Sequence, residues 1–219
     1  MNGNLDVTGT KPNKTRKTVL SLVFGGLVGF LGATGVIALV EAGSFGTPDA
    51  SQVIALLVAL IYLLTGLMAA LGVAAPRMGA KFLNVEDEDE LLEQKQVLAA
   101  SGWGMVALGL MLALIALGGP GGVLDSHLAL VGAVLLGAIG TWLSMRSVKL
   151  ADELMRATMN EAAATAYYFV FVVIGGWAMV SYLGYVPVPS MLDLLTLFWA
   201  LVLVSAFWAA GRRGMLKQR

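Results

Sequence analysis

The chain has 219 residues, 58% of them hydrophobic and 13% charged, with 27 Gly and a mean hydropathy of +0.82. Soluble domains carry about 25% charged residues, so this is the composition of a membrane protein. Lys and Arg balance Asp and Glu at 14 each, which leaves no basic stripe for a nucleic-acid partner, and the lack of Cys excludes disulfides, thiolate metal sites and cysteine nucleophiles.

Residues 1–17, rich in Asn, Thr, Lys and Gly, read as a flexible cytoplasmic segment. An apolar run over 19–40 follows. A span needs about 20 apolar residues, because the hydrocarbon core is about 30 Å thick and a helix rises about 1.5 Å per residue. A basic N-terminus before an apolar run also describes a secretory signal, with "VEA" at 40–42 as its cleavage site. The run exceeds the about 7–15 residues of a signal core, so an uncleaved anchor is expected. Helices in lipid associate through small residues that admit close backbone approach. Gly25 and Gly29, at GxxxG spacing and continued by Ala33, therefore mark a packing face.

The break "GSFGTPDAS" leads into a second span over 53–75, where Gly66 and Ala70 stand four apart. The linker after it contains "LNVEDEDELLEQKQ", with Glu86, Asp87, Glu88, Asp89 and Glu90 in succession and then Glu93. Acids at a helix start meet its unpaired N–H groups and positive dipole end, each contributing about 0.3–1 kcal/mol when exposed. One or two acids serve that purpose. Five in a row repel one another, and the excess suits a docking surface for a basic protein partner or a weak site for Ca²⁺ or Mg²⁺. The spacing and turn Gly of an EF-hand are absent, so any cation binding would be nonspecific.

A third span over 97–117 and a fourth over 128–145 flank the break "GGPGGVLDS"; the fourth carries Ala133, Gly137 and Thr141 on one face. The next linker repeats D-E-L, as Asp152, Glu153 and Leu154, before the fifth span at 165–183. This echo suggests a duplicated hairpin and assigns the shared acids to helix starts. After "GYVPVPS" the sixth span covers 191–210, and a basic tail, 212–219, ends the sequence.

The basic residues fix the expected orientation. Lys11, Lys14, Arg16 and Lys17 precede the first span, Arg77, Lys81 and Lys95 follow the second, Arg146, Lys149 and Arg156 follow the fourth, and Arg212, Arg213, Lys217 and Arg219 follow the sixth. The three short tips hold none. Lys and Arg favour the cytoplasmic side, so both termini are expected inside.

Ionisable groups in the bilayer centre mark ion pathways and catalytic sites, and no span has one near its midpoint. Glu41 and Asp193 come nearest, both at the outer interface. The interior polar residues are Thr34, Tyr62, Thr65, Thr141, Ser144, Thr196 and Ser205. The outer face collects Glu41, Asp49, Asp125, His127 and Asp193, of which Asp125, His127 and Asp193 are the candidates for a metal site. Their spacing matches no metal motif, so neither a metal nor another cofactor is expected. No nucleophile elbow, P-loop or dinucleotide fingerprint occurs, and one His is too few for most head-group chemistry.

The segment "DELMRATMNEAAATAYYFVFVVIGGW", residues 152–177, resembles a pattern in small uncharacterised bacterial predicted membrane proteins, where D-E-R and an Ala-rich turn precede a span. Leu154 stands where that pattern has Arg, and Arg156 follows two positions later. The resemblance implies a bacterial inner-membrane location and no activity.

The expectation is an all-α bundle of six transmembrane helices in three hairpins, occupying 18–211. Its surroundings are the lipid bilayer and a protein partner on the cytoplasmic face. The function read from this inventory is a noncatalytic accessory, assembly or regulatory component docking through its acidic linker. The alternative is a small-solute transporter or channel using Thr34, Thr65, Thr141 and Ser144, and an interfacial lipid-modifying enzyme ranks last.

Overall fold

The computed structural model describes residues 14–75 and 92–215, and within the first helix the side chain of residue 23 and those from residue 25 onward. The described residues form six helices and no strand: α1 (Lys14–Glu41), α2 (Ala50–Ala74), α3 (Lys95–Leu117), α4 (Ser126–Leu150), α5 (Glu153–Tyr182) and α6 (Met191–Arg212). α2 to α6 are each long and apolar enough to cross a membrane, and the described apolar part of α1 is Gly25–Glu41. Each expected span lies on one of these helices. α1 starts earlier than its span and takes in Lys14 and Lys17 of the segment read as flexible. α5 also starts early, at Glu153, and runs for 30 residues with a π-helical turn over Val170–Ile174.

Helix starts follow local chemistry. Asp49 and Gln52 form a reciprocal capping box on α2: the Gln52 N–H donates to Asp49 Oδ1, and the Asp49 N–H donates to Gln52 Oε1, both at 2.8 Å. Ser190 and Asp193 repeat this on α6 at 2.8 and 3.0 Å. Asp125 caps α4 by accepting from the N–H groups of His127 and Leu128. Asp152, the first acid of the second D-E-L, accepts from the Met155 N–H at 2.6 Å, as expected of an acid at a helix start.

The closest packing joins α2 to α3 and α3 to α4, with a further close pair between α5 and α6. α1 rests on α2 through a narrower contact, and α6 attaches its pair to α2. The most intimate interface is therefore α2 against α3, across the long linker, rather than α1 against α2 within the first expected hairpin. Gly66 and Gly102 explain it. A Cβ on Gly66 would lie 2.6 Å from the Gly102 carbonyl oxygen, and one on Gly102 would lie 2.9 Å from that of Gly66. Only two glycines let these backbones touch.

Ala70 is buried in the same seam, as are Ala133 and Gly140 where α4 meets α3, and Gly137 faces Met111. On α1, Gly25 and Gly29 have no neighbour within 4 Å of where a Cβ would stand. Ala33 is half-buried, and Gly32, beside it, is the α1 glycine that meets α2, at Leu60. The apolar core sits in one half of the bundle, where Ala55, Leu56 and Ala59 of α2 meet Leu112 and Ala116 of α3, with Leu192, Leu195 and Trp199 of α6 packed alongside.

Candidate functional site

The three interhelical tips converge at one end of the bundle. The Thr47 N–H donates to the Gly121 carbonyl at 2.9 Å, binding the α1–α2 tip to the α3–α4 tip. Gly46 and Gly121 both have positive φ, 79° and 76°, and a Cβ on Gly46 would collide with the Gly121 carbonyl, so glycine is required there. The Ser190 hydroxyl lies 3.4 Å from that of Ser51, which brings the α5–α6 tip to the start of α2. Gln52, only 2% exposed, donates from Nε2 to the Ala116 carbonyl at 2.8 Å and so pins the start of α2 to the end of α3.

Two adjoining hollows open at this end. One, of about 460 Å³, has mainly apolar walls, among them Pro120, Met191 and Leu192, with Asp49, Ser51, Gln52 and Ser190 set into them. The other, of about 570 Å³, runs between α3, α4 and α6, lined by Met111, Ser126, Ala129, Ala133, Val134 and Gly137. Ile115 and Leu195 line both. Their shared walls join a mouth bearing a few polar side chains to an apolar groove.

Comparison with protein-family models, with curated proteins and with solved structures gives no match. The site is therefore read from its own chemistry.

Of the metal candidates, Asp125 and Asp193 are each engaged in capping their own helix, and His127 is exposed. Among the described residues no three His, Cys, Asp or Glu side chains form a group able to hold a metal ion. The residues offered for a transport seam bond within their own helices or are exposed. Thr34 donates to the Phe30 carbonyl at 2.9 Å, Thr65 to that of Ile61 at 2.8 Å and Ser144 to that of Gly140 at 2.8 Å, while Thr141 is exposed. Each bonded hydroxyl is satisfied one turn back on its own helix.

A second polar group lies deeper, between α2 and α6. The Tyr62 hydroxyl donates to the Trp199 carbonyl at 2.9 Å, and the two rings meet edge to face at 5.8 Å. Thr196 Oγ1 and Trp199 Nε1 are buried there without a hydrogen-bond partner among the described residues.

At the opposite end, Glu161 of α5 accepts from Arg213 at 2.8 Å and lies 3.6 Å from Arg212, tying α5 to the end of α6. Of the acidic docking residues, Glu93 is exposed. Glu86, Asp87, Glu88, Asp89 and Glu90 lie outside the described residues.

The sequence reading missed Gln52, the most consequential polar residue at the tips. Its signal was present: D-A-S-Q over 49–52 and S-M-L-D over 190–193 both place a capping residue three before an acceptor side chain.

Proposed function

We propose that the chain is a noncatalytic, six-span protein of the bacterial inner membrane with both termini in the cytoplasm. It acts as an accessory, assembly or regulatory component, and its docking element is the acidic linker containing residues 86–90 and Glu93. The observation that carries the reading is the meeting of the three tips. The tips contain no Lys or Arg, and helices that alternate from that end send every linker and terminus bearing such residues to the other. Basic residues confined to one end favour that end as cytoplasmic.

The noncatalytic reading draws support from what the polar groups are already doing. Asp49, Asp125 and Asp193 cap helices, the hydroxyls of Thr34, Thr65 and Ser144 bond within their own helices, and α2 and α3 meet backbone to backbone. That packing favours a supporting bundle over a solute path between α2 and α3. Five adjacent acids in the sequence exceed the one or two that a helix start uses, which suits the surplus to a basic protein surface.

The test is gentle purification of the full chain from native membranes, followed by protein and solute mass spectrometry, beside a variant carrying E86Q, D87N, E88Q, D89N and E90Q. The expected result is a stoichiometric protein with the wild type and about tenfold less with the variant at equal expression, equivalent to about 1.4 kcal/mol of binding. Equal co-purification would overturn docking. Release of a trapped solute from pure protein would favour transport instead.

A further inference from the structure

The mouth that carries Asp49, Ser51 and Ser190 and the apolar groove below it are continuous, as the two ends of an amphiphile are. The groove follows α4 from Ser126 to Gly137, and at about 1.5 Å per residue this is about 16 Å, roughly half of an about 30 Å hydrocarbon core. It therefore has the depth of one leaflet. Its lining is apolar apart from Ser126, whose hydroxyl is turned to the Gly118 carbonyl at 2.9 Å. Val134, 62% exposed, and Leu130, also 62% exposed, stand along its open side. Beyond Ile115 and Leu195 the walls stay mainly apolar but gain the side chains of Asp49, Ser51 and Ser190.

Charge selects among head groups. The tips and the first turns of α2, α4 and α6 contain no Lys or Arg, so nothing basic stands ready for an anionic head group. An ammonium group is complementary to the Asp49 carboxylate, which lines the mouth. We propose that this cleft binds one phospholipid with an amine head group, its acyl chain along α4 and its ammonium beside Asp49. The site belongs to the tip end and is independent of the acidic linker.

The test uses the full chain in detergent, incubated with equal amounts of phosphatidylethanolamine and phosphatidylglycerol and read by native mass spectrometry. One bound phosphatidylethanolamine is expected in about tenfold preference. Val134→Trp, which fills the groove from its open side, should lower that adduct about tenfold. Leu130→Trp repeats the test if Val134→Trp is not monodisperse. Asp49→Asn retains a side chain able to cap α2 and should bring the two lipids toward equal retention. Val172→Trp, on the exposed surface of α5, should change neither. Equal retention of the two lipids by the wild type, or full retention of phosphatidylethanolamine by both groove variants, would overturn the proposal. So would a wild-type dimer free of lipid that Val134→Trp converts to a single copy, which would assign the groove to a second chain.

Discussion

The buried side-chain amide of Gln52 donates to the main-chain carbonyl of Ala116 at 2.8 Å, while its own oxygen accepts from the Asp49 N–H. One side chain thus completes the cap of α2 and fastens that helix to the end of α3. The carbonyls of a helix's last turn lack partners within the helix, and Gln52 satisfies one of them.

Gln52→Leu keeps the bulk and removes both bonds, leaving the Asp49 N–H and the Ala116 carbonyl without these partners. Leaving a buried polar group unpaired costs about 1–3 kcal/mol. The variant is expected to lose stability in that range in detergent-induced unfolding. Unchanged stability would show that the tip junction holds without this bond.

Gly66 and Gly25 give opposite expectations from the same residue type and similar spacing. Gly66→Val places a side chain into the Gly102 backbone and must part α2 from α3, at a cost of at least the about 1–3 kcal/mol usual for overpacking. Gly25→Ala meets nothing within 4 Å and gains the about 0.5–1 kcal/mol by which Ala exceeds Gly inside a helix. Unfolding midpoints should fall for the first and hold or rise for the second.

Thr196→Val distinguishes a structural seam from a solute path. The buried Thr196 hydroxyl has no partner among the described residues, so an isosteric methyl should be neutral or stabilising by about 1 kcal/mol. Stability is checked by thermal unfolding. A marked loss of stability would mean that the hydroxyl is bonded in the native membrane protein.

Asp152→Ala removes the cap of α5 and is expected to cost about 1 kcal/mol, with Asp152→Asn close to wild type because Asn caps equally well. Hydrogen exchange at Met155 should rise in the first variant alone. Equal exchange in all three proteins would remove the capping role from the D-E-L motif.

The positions of the helices were legible because about twenty apolar residues in lipid have no alternative to helix, and Gly/Pro tips end them sharply. Which helices pack together was less legible. Gly25 and Gly29 have the same spacing as Gly66 and Ala70, yet the first two face open space and the second two lie in the tightest seam. Spacing shows that a face is smooth, not what lies against it. Gln52 was hidden for a related reason: its capping partner is three residues away, but Ala116, which buries it, is brought close only by tertiary packing. The acids of the tips invited a metal reading, and local capping gives Asp49, Asp125 and Asp193 a nearer task.

The central claim is that the three tips share one membrane face and the basic linkers the other. The chain has no Cys, so single cysteines report without background. Val188→Cys, at an 83% exposed tip position, and Lys149→Cys, in the exposed last turn of α4, are each labelled in intact spheroplasts with a membrane-impermeant maleimide. The account predicts labelling of Val188→Cys from outside and labelling of Lys149→Cys only after the membrane is opened. Labelling of both from outside, or of Lys149→Cys alone, would contradict it.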